Sequence, residues 1–393
     1  MSGHFVGILI KKERLRNDWS QDGLCKGICA VSYLSKIEQG KADASQEIIR
    51  LLMRRLGVKW YNDEATYKKA KGLANRLYDA LFSNDQAALE AAKQEMSENW
   101  VVFSNCPYML DFLLFRALFT TSNCSDLNDF EPDFDKRQQT LWLLLQHDYE
   151  ALLRQNPSAY TYLVAGTAAY QSGNYSVALE RLQQSYNLAA QQGYVFIMLE
   201  SRMFMGNCYS DMMDFERMEE HFRVAERLAT ALGDKEILNS IHYNTQSTNI
   251  ELGHIEESYD YFSKLENPSP MALHKLAVCC EKLGKTTEAL NAVNRAEAEE
   301  CDFPPKELTR SMCELIRYRL EHPGYLKDCA YGEMLVACFE WIRAKLPNGF
   351  INFHLPWMLE WYTASRQYKQ AYELIADFPY NKALVRSKDG TMH

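Results

Sequence analysis

Residues 20–41 read SQDGLCKGICAVSYLSKIEQGK. Ser20 is an N-cap residue with an acid, Asp22, in the turn behind it, so a helix starts there. Leu24 and Cys25 fall on its inward face. Gly27-Ile28-Cys29 breaks and turns the chain. A further helix then runs from about Val31 to Gln39, with Leu34 and Ile37 inward and Gly40 as its stop. Working outward, Phe5 to Arg16 has apolar residues at 5, 6, 8, 9, 10 and 15 and a basic face, which predicts a helix upstream. Ser45 caps a fourth helix, apolar at 48, 49, 51, 52, 53 and 56, that ends at Gly57. The spacing therefore predicts four short helices within about the first 62 residues.

Charge sets this head apart. The chain of 393 residues has a formal net charge of -9. Its first 60 residues hold eleven Lys and Arg against six acids, a net +5, which leaves -14 for the remaining 333. A basic head on an acidic body points to an anionic partner for the head alone.

The string Ser20-Gln21-x-x-Leu24 followed by Ser32-Tyr33-Leu34-Ser35-Lys36-Ile37-Glu38-x-Gly40-Lys41 resembles the repressor-like XRE helix-turn-helix family. The turn at 27–29 is one residue shorter than the commonest form, and with its Ile-Cys pair it is similar to that of the PlcR and Rgg type of regulator. The resemblance implies that the third helix enters the major groove of double-stranded DNA, where every base pair shows a distinct donor and acceptor pattern. Val31, Ser32, Tyr33, Ser35 and Lys36 are its candidate contacts. Lys36 can donate to guanine, Ser32 can bond either way and Val31 can touch a thymine methyl. Gln21, at the start of the second helix, is placed to bond a phosphate. Lys41, with Lys11 and Lys12, adds attraction that is blind to sequence. Glu38 has two readings: a structural partner of Arg14 or Lys11, or a DNA contact.

Beyond Trp60 the pattern is helical throughout, with Gly and Pro rare and strand-like alternation scarce. Aligned on its turns, the chain repeats itself. Gly173-Asn174, Met213-Asp214, Gly253-His254, Gly284-Lys285 and Arg366-Gln367 recur ahead of a small or apolar residue on the next helix. Seven residues before three of these turns lie Gly166, Gly206 and Ala277, small enough for two helices to approach closely. The pattern resembles the tetratricopeptide repeat, clearest over 158–300 and weaker over 351–379. Residues 61–157 read as helical pairs with a turn at Ser83-Asn84-Asp85, 122–135 as a loop, and 301–350 as degenerate. The predicted fold is all-α: a repressor-like helix-turn-helix bundle over 1–62, then a tetratricopeptide-like right-handed α-solenoid over 63–393.

In such an array the first helix of each pair lines a concave face. The register puts Leu163, Thr167 and Tyr170 there, then Glu200, Met203, Asn207 and Ser210, then Ser240, Tyr243 and Ser247, then Met271, His274, Val278 and Glu281. Asn244 lies one step off. The candidate peptide contacts are Tyr170, Glu200, Met203, Asn207, Ser210, Tyr243, Asn244, Ser247 and His274. An amide such as that of Asn207 can both donate to and accept from a peptide backbone whatever that peptide's sequence. Tyr170 and Tyr243 offer flat contact area with a polar tip.

Other functions are excluded or left without support. No GxSxG, GxxxxGK[ST], HExxH or GxGxxG occurs, and acid pairs such as Glu219-Glu220 are adjacent and so point apart on a helix. No enzyme activity, cofactor or metal is expected. The 11 cysteines include no CxxC pair and read as buried thiols of a reducing compartment. No run of about 18 apolar residues and no cleavable leader is present, so a cytoplasmic protein without a membrane partner is expected.

Head and array together resemble the peptide-sensing quorum-sensing group named for Rap, Rgg, NprR, PlcR and PrgX. The resemblance implies a transcription regulator that binds an inverted-repeat operator as a homodimer and senses a short signalling peptide through its array. The alternative is an interaction protein whose array grips a protein partner and whose head does not bind DNA.

Overall fold

The computed structural model describes residues 4–120, 125–299 and 304–377, and every regular element among them is a helix. The head is α1 (His4–Arg16), α2 (Gln21–Cys25), α3 (Val31–Glu38) and α4 (Gln46–Arg55). Its local signals act as the sequence predicts. Ser20 Oγ accepts from the Gly23 N–H and Ser45 Oγ from the Ile48 N–H, each satisfying a donor that a helix start leaves open. Leu24, Leu34, Ile37 and Leu52 are buried in the middle.

There follow α5 (Glu64–Ser83), α6 (Gln86–Glu98), α7 (Trp100–Phe103), α8 (Met109–Thr120), α9 (Lys136–Leu145) and α10 (Tyr149–Gln155). Asn84 stands in the left-handed region and Asp85 caps α6, as its turn predicts. The segment read as a loop over 122–135 is corrected in part. Ser125–Asp133 is a 3-10 helix, because Leu127 and Phe130 bury their side chains; residues 122–124 lie outside the described residues.

The repeats are α11 (Ala159–Gln171), α12 (Tyr175–Gln192), α13 (Val195–Asp211), α14 (Phe215–Leu232), α15 (Lys235–Leu252), α16 (Ile255–Ser263), α17 (Pro270–Lys282) and α18 (Thr286–Ala298). Then come α19 (Lys306–Glu321), α20 (Cys329–Lys345), α21 (Asn348–Ala364) and α22 (Tyr368–Asp377). All five aligned turns fall between paired helices, and each pivots on a residue with positive φ, from 59° at Met213 to 89° at Gly253. The close approaches are also where the repeat puts them. A Cβ on Gly206 would overlap the Phe222 ring of α14, and one on Gly166 would lie 2.8 Å from Leu182 Cγ of α12.

The chain forms two compact units. One holds Met1–Ala165 with Asn187–Ile197, and the other Gly166–Tyr186 with Met198–His393. The head, expected to end near residue 62, lies inside the first. Among the described residues nine cysteines are free, no three His, Cys, Asp or Glu side chains are grouped to hold a metal, and no helix is long and apolar enough to cross a membrane. Cys124 and Cys301 lie outside the described residues.

Candidate functional site

Two places carry chemistry, one in each unit. In the first unit, α3 is amphipathic because Leu34, Ile37 and Glu38 turn inward. Its outer face presents Val31, Ser32 and Lys36 to solvent, with Tyr33 and Ser35 half-buried beside them. The Tyr33 hydroxyl donates to the Asp43 carbonyl at 2.8 Å, and Ser35 Oγ accepts from the Gln39 amide at 3.1 Å. Lys41 is exposed just past the end of the helix. Five predicted contacts and Lys41 therefore share one helix and its C-terminal turn.

Glu38 resolves to its structural reading. Its carboxylate takes both arms of the Arg14 guanidinium, Nε at 2.6 Å and Nη2 at 2.9 Å, in a fork whose side chains are 3% and 10% exposed. The pairing raises the guanidinium pKa further. Arg14 also donates to the Trp19 carbonyl. Gln21, expected at a phosphate, donates its amide N–H to Glu38 Oε2 at 2.8 Å. It holds α2 to α3 through the same carboxylate. Lys12 is redirected too. Its ammonium donates to the Asp126 carbonyl at 2.9 Å, pairs with Asp129 at 2.9 Å and sits over the Phe130 ring, so the acidic 3-10 segment holds it.

In the second unit, one cavity of about 140 Å³ collects Tyr170 from α11, Asn207 and Ser210 from α13, and Tyr243, Asn244 and Ser247 from α15. Six of the nine expected peptide contacts thus meet. Asn244 Nδ2 donates to Asn207 Oδ1 at 3.1 Å, so the two amides span neighbouring repeats. Ser210 and Thr248 hydroxyls lie 3.3 Å apart.

Three expected contacts are placed elsewhere. Met203 packs with Leu199, Met218 and Phe222 in the core between repeats. Glu200 is half-buried and does not line the cavity. His274 is corrected outright: it is fully buried, not groove-facing, among Phe353, His354 and Trp357 of α21. Neither of its ring nitrogens has a partner among the described residues. Burial first, then His354, Lys275 and Arg319, holds its pKa far below the ordinary histidine range, so the ring stays neutral.

The rest of the lining escaped the repeat register. Asp211, Thr248, Glu251 and Lys275 join it from α13, α15 and α17, and Pro347, Gly349 and Phe350 join it from the start of α21. Asp211 ties these parts together. Its carboxylate accepts from the Tyr175 hydroxyl at 2.9 Å, from the Tyr170 hydroxyl and from the Gly349 N–H. The cap position of α21, Pro347, supplies no side-chain acceptor, so a carboxylate from another repeat serves the helix start. The Asn352 amide returns the bond, donating to the Asp211 carbonyl at 2.8 Å. Burial pushes the Asp211 carboxyl up to about 6, while the bonds from Tyr175, Tyr170 and Gly349 act against that rise.

Residues 10–61 match the helix-turn-helix family model. The head is a helix-turn-helix domain. No curated protein matches the chain. Among solved structures, a Rap protein complexed with competence and sporulation factor is similar at a TM-score of 0.57 and 16% identity, over 81% of this chain and 99% of that one. That likeness is one of fold. It carries the tetratricopeptide-like array beyond the helix-turn-helix domain, whose α3 is the candidate recognition helix.

Proposed function

We propose that this chain is a cytoplasmic, peptide-sensing transcription regulator of the group named for Rap, Rgg, NprR, PlcR and PrgX. Two helix-turn-helix domains, brought together in a homodimer, read the halves of an inverted-repeat operator. Each domain alone contacts few phosphates and binds weakly; joining two raises the effective concentration of the second. The array takes a short linear signalling peptide in the cavity of the second unit. The observation that carries this reading is the Asn207–Asn244 pair, bonded at 3.1 Å across two repeats inside that cavity. Paired amides without a ligand can exchange their mutual bond for bonds to a peptide backbone, independent of side chains. A Rap protein of similar fold was crystallised with competence and sporulation factor, which fits a ligand site in such an array. Peptide and operator are linked only if the peptide binds two states of the array with different affinity.

The test has two arms on the full chain. Lys36→Ala with Ser32→Ala should relax base preference in DNA selection by about 1–3 kcal/mol per lost base contact, with the fold intact by circular dichroism. Asn207→Ala with Asn244→Ala should weaken capture of short peptides and leave DNA affinity without peptide unchanged. Unaltered DNA selection in the first variant removes α3 as the reading helix. Peptide capture unchanged in the second removes the amide pair from the site.

A further inference from the structure

The cavity wall contains a cation whose surroundings do not account for it. Lys275 of α17 is 4% exposed and lines the cavity. Its ammonium lies against the Phe353 ring, 2.8 Å from the centroid. Among the described residues no hydrogen-bond acceptor and no carboxylate within ion-pairing distance serves it. The other acids on the wall leave it so. Asp211 spends its carboxylate on Tyr175, Tyr170 and the Gly349 N–H. Glu251 acts on Lys275 only through space, and its side chain also opens onto a neighbouring cavity lined by Glu281, Arg319 and Trp357. A ring face replaces only part of the hydration that a buried ammonium loses. Burial accordingly pushes Lys275 down to about 7, opposed by the attraction of the exposed Glu251 carboxylate. A cation held this way gains most from an anion delivered into the cavity.

Resting on the peptide reading above, we propose that Lys275 receives a carboxylate of the ligand in this cavity. About 140 Å³ accommodates the end of a chain and not a whole peptide. The carboxylate meets the ammonium while the Asn207 and Asn244 amides take the adjoining backbone. The carboxylate has two possible sources, the peptide's C terminus or an Asp or Glu side chain.

The experiment offers the full-length protein three synthetic hexapeptide pools and reads retained peptides by mass spectrometry after size exclusion. One pool lacks Asp and Glu and has free C termini, the second is the same with amidated C termini, and the third is amidated but contains Asp and Glu. Enrichment of the first over the second by roughly tenfold or more supports the proposal and names the terminus. The same enrichment of the third over the second supports it and names the side chain. In either case Lys275→Met should abolish the preference; a preference that persists in this variant overturns the assignment to Lys275. Lys275→Met keeps the stem and removes an unpaired buried charge, so its melting temperature should not fall. Should it unfold, the comparison of pools on the unaltered protein still decides whether a carboxylate is read. Equal retention of all three pools overturns the proposal and leaves the peptide reading standing. Retention of none overturns both.

Discussion

Glu38→Ala is expected to cost about 3–5 kcal/mol of stability, because it strands the Arg14 guanidinium in a buried fork and removes the acceptor of Gln21. Urea denaturation of the purified variant checks this, and a loss under about 1 kcal/mol would contradict the buried pairing. Asp211 gives a second residue-scale expectation, in pH. Its folded value of about 6 stands above the ordinary 3.8, so the protonated form is favoured by folding. The contribution is fully present below pH 4 and is lost as pH rises through 6. The unaltered protein should therefore lose about 2 kcal/mol relative to Asp211→Asn between pH 4 and pH 7, at ~1.4 kcal/mol per tenfold. Equal pH slopes for the two would contradict a buried, titrating Asp211. Some of these residues were legible from sequence alone. Glu38 was in part: the sequence offers Arg14 or Lys11 as its structural partner, and the buried fork takes Arg14. His274 and Lys275 were not: α17 is buried on nearly every side from Pro270 to Cys280, so helical period cannot sort core from groove there.

Among the elements, the turns are the most legible in the sequence. Gly253, Gly284 and their counterparts carry the left-handed conformation that ends a helix, and that chemistry is local. Gly166 and Gly206 were legible for a related reason, since a fixed offset from the turn sets where two helices of a pair touch. Gly206→Ala places a methyl against the Phe222 ring and should cost about 1–3 kcal/mol by thermal or chemical unfolding. No loss would mean that α13 and α14 do not approach as closely as described. The contribution of α21 to the cavity could not be read this way. Its Gly349 meets Asp211 across 138 residues, and no local pattern records a contact of that range. The 3-10 helix at Ser125–Asp133 escaped for the opposite reason: its polar, acidic composition reads as a loop, and only burial of Leu127 and Phe130 makes it an element.

On the scale of the whole molecule, the charge asymmetry between head and body becomes a statement about DNA. Lys41 is exposed, whereas Lys12 is held by Asp129 and the Asp126 carbonyl. Lys41→Ala should lower the slope of log affinity against log salt by about 1, and Lys12→Ala should leave it nearly unchanged. Equal slopes for the two variants would show that the 3-10 segment releases Lys12 when DNA binds. The combination of a helix-turn-helix domain and a tetratricopeptide-like array is legible from composition and periodicity, because each depends on short-range pattern. The shape of the cavity is not, because it is assembled from five helices far apart in the chain. The most direct measurement is sequencing of genomic DNA fragments retained by the full-length protein at physiological salt, beside the Lys36→Ala, Ser32→Ala variant, with and without the free-acid hexapeptide pool. Enrichment of a few inverted-repeat sites, lost in the variant and altered in degree by the peptides, is the expected result. Retention of the same fragments by protein and variant alike, with no shared sequence, would contradict a regulator that reads an operator.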